Sequence, residues 1–145
     1  MKNPPNITFT TTASQDGMAL LGRVLIALLF VPAGFAKIGG FAGTAGYIAS
    51  KGLPLPELGA VIAIAVELGL GLMLLVGWRT RFSALVLALF TVATSIFFHN
   101  FWGVPAEQVM MQKMNFFKNL AIAGGLFAFA SFGAGAWSLD GRTRR

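Results

Sequence analysis

Glu67 stands alone in AVIAIAVELGLGLMLLV, within about twenty residues that carry no other charge, long enough to cross a hydrocarbon core of roughly 30 Å. A carboxylate placed there must face a bundle interior, find a partner or keep its proton, because an ionisable group in lipid is costly. At 1.5 Å rise per residue it lies about 15 Å from either end of its segment. Lys37, His99, Asn115 and Lys118 fall near the ends of other apolar segments, with Asn119 beside them. Lysine and asparagine donate hydrogen bonds to a carbonyl oxygen, and imidazole relays protons near neutral pH. The expected arrangement is a polar cup with Glu67 as its floor. Glu67 and His99 are the candidates for proton transfer, and Arg23, Lys37, Asn115, Lys118 and Asn119 the candidates for ligand contact. Arg23, about one turn inside the opposite membrane face, is expected to snorkel to water.

The same residues admit a structural reading. Lys37 and Lys118 fit interfacial anchors, as Trp78, Trp102 and Trp137 fit an aromatic belt. His99 fits a wet helix end, and Glu67 fits a neutral residue that fixes helix packing. Met110, Met111 and Met114 would suit soft Cu(I), yet an apolar loop face explains them equally well, and no metal site is expected.

Four apolar segments must carry these groups: 18–36, 58–76, 82–98 and 116–137. The fold class is therefore all-α, a polytopic membrane four-helix bundle. A short interfacial helix in FAGTAGYIASKGLPLP joins the first and second spans, ended by Gly52 and Pro54, with Phe41, Tyr47 and Ile48 towards lipid. Residues 1–17 read as a flexible cytoplasmic tail without signal-peptide features, 18–140 as the membrane domain and 141–145 as a basic cytoplasmic tail. The Asn6-Ile7-Thr8 sequon in the tail carries little weight.

Periodicity assigns the inward faces. Arg23, Ala27, Phe30, Gly34 and Lys37 form one stripe; Ala60, Ala63, Glu67 and Gly71 a second; Ala84, Ala88, Thr91, Ser95 and His99 a third. On the fourth helix the polar stripe is Asn115, Lys118, Asn119, Ile122 and Gly125. Small residues in such stripes let backbones approach closely.

Of 145 residues 56% are hydrophobic and 11% charged, so the lipid bilayer is the first partner. The net charge of +6 reads as membrane orientation rather than affinity for nucleic acid. Lys2, Arg79, Arg81, Arg142, Arg144 and Arg145 flank one side against Lys37, Lys51, Lys113 and Lys118 on the other. Arg79 and Arg81 sit in a very short loop, where the positive-inside rule counts most, which puts both termini in the cytoplasm. The absence of cysteine and the single histidine exclude disulfides, iron–sulfur clusters, thiolate zinc and bis-histidine haem.

Several fragments in order then form a pattern: Arg23 with Gly34-Phe35-Ala36-Lys37, Gly52-Leu53-Pro54, Val66-Glu67-Leu68-Gly69, Leu75-Val76-Gly77-Trp78-Arg79-Thr80-Arg81, His99-Asn100-Phe101, Lys118-Asn119-Leu120, Gly124-Gly125 and Ser138-Leu139-Asp140. The chain resembles, over about 18–140, the DoxX family of small four-helix membrane proteins; Gly-Ala-Trp near its close departs from the pattern. The resemblance implies a bacterial inner-membrane protein of a class often labelled oxidoreductase, with links to thiosulfate:quinone oxidoreductase subunits and to thiol and oxidative stress. No motif for a nucleotide, flavin or metal is present, so no cofactor is intrinsic. Redox chemistry would need a bound quinone or a redox partner protein. Whether the protein is itself an enzyme stays open. A membrane subunit of a quinone- or thiol/sulfur-linked system, binding a quinone or another small amphipathic ligand, leads. A small proton-coupled transporter and a non-catalytic anchor or homo-oligomeric assembly subunit are the alternatives.

Overall fold

The computed structural model describes residues 12–143, which contain helices and turns but no strand. Helix α1 (Ala13–Gly39) starts ahead of the apolar run because Thr12 and Gln15 form a reciprocal capping box, satisfying two donors that a helix start leaves unpaired. The last residues of the expected tail are thus its first turn. Residues 1–11, with the sequon, and 144–145 lie outside the described residues.

Helix α2 (Phe41–Ser50) is the short helix expected between the first two spans. Its orientation differs from the expectation. Ile48 is buried with Ala45 and Ala60, and Phe41, Leu53 and Phe98 pack around them, so the face carrying Phe41, Ala45 and Ile48 roofs the bundle. Their spacing of four and three is one helical stripe, and Ala60 with Phe98 offers it an apolar seat. Tyr47 stays exposed and stacks on Phe98 at 5.4 Å between ring centroids.

The second span begins as α3 (Pro56–Ile64), passes through a π-helical stretch (Ala65–Leu70) and continues as α4 (Gly71–Val76). It ends at Gly77, where φ is +69°, a left-handed turn that glycine makes without a side-chain clash. Helix α5 (Thr80–Phe98) follows, then a 3₁₀ turn (Phe101–Gly103) and α6 (Ala106–Phe132). The fourth helix therefore begins ten residues before the expected 116. Pro105 supplies its N-terminal boundary, and Gly133 and Gly135 at positive φ stop it short of 137. The span Ala13–Gly39, the span Pro56–Val76 and the stretch Thr80–Gly103 are long and apolar enough to cross a membrane; α6, whose first half carries Glu107, Gln112, Lys113 and Lys118 among apolar residues, completes the bundle along α5.

The first three inward stripes match the buried residues. The fourth is rotated. Lys118 and Gly125 are exposed, whereas Ala123 and Leu126 are buried and Asn119 and Ala130 partly so. Spacings of four, three and four mark this stripe, which is apolar except at Asn119, and burial of apolar area sets the rotation. Phe30, Leu74, Leu87, Ala123 and Leu126 form the common core. Large side chains such as Leu25, Leu28, Phe82, Leu89 and Ile96 remain exposed, the outward apolar surface of a protein solvated by lipid.

One end of the bundle is tied by residues 133–142. Arg23, 1% exposed, donates to the carbonyl oxygens of Leu75 (2.9 Å) and Trp137. Asp16 accepts from the Ala136 amide at 2.7 Å. Asp140 accepts from the Arg79 and Thr80 amides, each at 2.8 Å, while its own amide donates to Gly77 O. A short helix α7 (Leu139–Arg142), capped by Ser138, closes the segment. Arg23 is therefore a buried cross-link between a carbonyl left open at the end of α4 and one in the segment before α7, not a snorkelling cation.

Candidate functional site

Between this tied end and the α2 roof, the helices enclose a cavity of about 440 Å³. Its position follows from a close approach of α1 to the second span. A Cβ at Gly34 would stand 2.6 Å from the Leu68 backbone nitrogen, so only glycine fits against the π-helical stretch. One turn beyond Gly34, Lys37 folds back along α1, as helical side chains lean towards the N-terminus. Its Nζ reaches Glu67 Oε2 at 2.6 Å and the Ala33 carbonyl oxygen at 3.5 Å. The two side chains are 28% and 12% exposed and form an ion pair. Glu67 sits inside the π stretch (Ala65–Leu70), an irregularity that re-aims side chains and recurs at functional sites.

Four residues expected in the cup line this cavity: Lys37, Glu67, His99 and Asn119. His99 Nδ1 lies 2.9 Å from Gln112 Oε1, which ties the end of α5 to α6 and leaves the second ring nitrogen for a ligand or a proton. Arg23, Asn115 and Lys118 are not among its lining residues. Arg23 belongs to the tied end, and Lys118 donates to Asn115 at 3.1 Å on the exposed part of α6. The cup thus has one lysine, and it is already paired. Met110, Met111 and Met114 are exposed on α6, in a helix rather than a loop.

The remaining walls are apolar or self-satisfied. Phe30, Ile48, Ala63, Phe90 and Phe98 contribute carbon surface. The Thr91 and Thr94 hydroxyls donate to the carbonyls of Leu87 and Thr91. The Asn119 side-chain amide makes no hydrogen bond within the described residues, so it is a spare donor and acceptor. Beneath Glu67 the core of Phe30, Leu74, Leu87 and Leu126 is packed, so the cavity is blind on the side of the tied end.

Such an arrangement can bind a small molecule with a carbonyl or hydroxyl head, offering it an ammonium, a carboxylate, an amide and an imidazole within an apolar sheath. Sequence reasoning missed Gln112, the α2 roof and the π stretch. Gln112 lies thirteen positions beyond His99, across a turn that no periodicity bridges. The stripe of Phe41, Ala45 and Ile48 was the available signal for the roof.

The DoxX family model matches residues 18–100. Inner membrane protein YphA of Escherichia coli is 36% identical over 134 residues, covering 92% of this chain and 96% of that protein. Inner membrane protein YqjF of the same organism is 40% identical over 126 residues, covering 87% and 92%. Surfeit locus protein 4 homolog of Drosophila melanogaster is 28% identical over 130 residues, 87% of this chain but 41% of that protein. No solved structure matches.

Proposed function

The chain belongs to the DoxX family of membrane proteins, and from that premise we propose that it is an inner-membrane subunit of a quinone- or thiol/sulfur-linked redox system, holding a quinone-like head at the Lys37–Glu67 pair. The observation that carries this reading is the ion pair itself, set in the wall of a mostly apolar cavity that is blind towards the tied end. Reduction of a quinone to its quinol takes up one proton for each electron. The electrons come from a partner redox protein, since no intrinsic cofactor motif is present. Lys37 donates a hydrogen bond to the ring oxygen and so favours its developing negative charge. Glu67, freed from Lys37 as the oxygen takes its place, passes a proton, and His99 connects the cavity to water.

The two E. coli relatives are named as inner membrane proteins, and the Arg79 and Arg81 turn orients both termini to the cytoplasm. A role in thiol or oxidative stress follows if the partner draws electrons from thiols.

The test is purification in mild detergent, solvent extraction, and a borohydride difference spectrum for quinone. Parent protein should retain quinone, and Ala33→Phe, which places a ring in the cavity, should lose about tenfold at an unchanged melting temperature. Parent protein without quinone, or Ala33→Phe with a full complement, would sink the reading.

A further inference from the structure

The mouth of the cavity is built from a different kind of residue than its floor. Leu29, Tyr47, Ile62 and Phe97 line it, and each is about half exposed. Leu29 lies in the span Ala13–Gly39, Ile62 in Pro56–Val76 and Phe97 in Thr80–Gly103. An opening bordered by half-exposed leucine, isoleucine and phenylalanine in membrane-crossing helices meets hydrocarbon, not water. Lys37 and Glu67 are the charged groups of the lining, and both are mostly covered. A water-borne solute would have to cross a border that is apolar but for the Tyr47 hydroxyl and give up most of its hydration before meeting a charged partner. A molecule already dissolved in the bilayer makes no such sacrifice.

Resting on the quinone-like reading above, we propose that the ligand is a lipid-borne amphiphile that reaches the cavity sideways from the bilayer, its head at Lys37, Glu67 and Asn119 and its long apolar tail across Leu29, Ile62 and Phe97. The volume supports the division. About 440 Å³ falls in the lower part of the range for small-molecule pockets, enough for a ring and the first part of a tail, and the rest must continue over the mouth. The polar supply also fits a head with few acceptors. The Thr44, Thr91 and Thr94 hydroxyls are committed to carbonyls, which leaves Asn119, the Lys37 ammonium, the second nitrogen of His99 and, at the mouth, the Tyr47 hydroxyl. A sugar or a peptide would leave most of its hydrogen bonds unmade.

The experiment reconstitutes the purified protein in lipid nanodiscs and measures two ligands, a benzoquinone with a long isoprenoid tail and the same ring without it. Their affinity ratio is compared between parent and Phe97→Asn, a comparison in which partition into lipid cancels. The ratio should fall by about tenfold in the variant, because the tail loses apolar contact at the mouth. A second arm uses a long-tailed quinone with a diazirine midway along the tail. Irradiation should label peptides containing Leu29, Ile62 or Phe97, and unlabelled long-tailed quinone should compete the labelling away. An unchanged ratio, or labelling spread over outward residues such as Leu72 and Leu89 without competition, overturns sideways access while the head-group reading stands. If the parent binds neither quinone, the head-group reading itself fails.

Discussion

Lys37→Met and Glu67→Gln should not cost the same, and the order of their costs follows from the unequal cover of the two groups. Losing the ammonium leaves the Glu67 carboxylate, 12% exposed, in a wall whose threonine hydroxyls are already engaged. Removing one partner of a fully buried pair costs about 3–5 kcal/mol. The remaining exposure of both side chains lowers this to about 2 kcal/mol for Lys37→Met. Glu67→Gln keeps the shape and an oxygen acceptor, and Lys37, 28% exposed, has a flexible stem that turns its charge towards water. Its cost should be about 1 kcal/mol. In the double variant the lone-charge penalty disappears with the carboxylate, so the total should stay near about 1 kcal/mol rather than the additive value of about 3.

The assay is reversible unfolding in mixed micelles, followed by helical circular dichroism as denaturing detergent is added. A coupling of about 2 kcal/mol is the expected result. Additivity to within about 0.5 kcal/mol would mean that the pair is not formed in the membrane protein. A Glu67→Gln variant less stable than Lys37→Met would show that the cavity solvates the carboxylate better than its depth implies.

Glu67→Gln should also leave membrane yield intact while stopping quinone-dependent turnover with a reducing partner, because an amide cannot carry the proton; turnover equal to the parent's would reduce Glu67 to a packing residue. Gly71→Leu should lose about 2 kcal/mol or more, since even a Cβ there would lie 3.2 Å from that of Phe30. Leu72→Phe, on the exposed side, should stay within about 0.5 kcal/mol, and equal melting temperatures for the two would mean the helix is rotated. Asp140→Ala removes the acceptor for the Arg79 and Thr80 amides and should cost about 1–2 kcal/mol by equilibrium unfolding, with Asp140→Asn recovering part. Reporter fusions should be silent for periplasmic activity at the C-terminus and active near Tyr47; the reverse pattern would invert the orientation.

The readable part of this chain is the part governed by burial of apolar surface. Segment length gave the spans, and stripes of small and polar residues gave three of the inward faces, because lipid and core impose one periodicity along a helix. The fourth face misled for a physical reason. Asn115 and Lys118 can satisfy each other at an exposed helix surface, so their polarity carried no instruction to turn inward, whereas Ala123 and Leu126 could be buried at no polar cost. Arg23 was recognised as an interior residue but assigned the wrong job, since its partners are backbone carbonyls of Leu75 and Trp137, and every residue carries a carbonyl. Likewise, the π stretch is a change of one hydrogen-bond register, which side-chain types in AVELGL do not announce. That Glu67 needs a partner and shares a cup with Lys37 was legible; that Gly34 brings the two into contact is visible only once α1 lies against Leu68.

The two ends of the bundle are held by unlike means, and the contrast has a consequence for binding. At the tied end, Asp16, Arg23 and Asp140 each bond to backbone groups distant in sequence. Opening that end would leave charged groups and helix-terminal amides unpaired together, so its members separate only at high cost. At the other end α2 rests on apolar contacts of Ile48 and Ala45 with Ala60, and α6 is held there by the side-chain bond of His99 to Gln112 and by ring contacts of Phe101 and Trp102 with Phe116. Apolar contacts slide and re-form without stranding a polar atom. Local opening should therefore be concentrated at the roof and mouth, and a ligand arriving between Leu29, Ile62 and Phe97 needs only that end to yield. The cost of holding the cavity open is met far from it, by the clamp around Arg23, which fixes α1 against the second span and so keeps Lys37 within reach of Glu67.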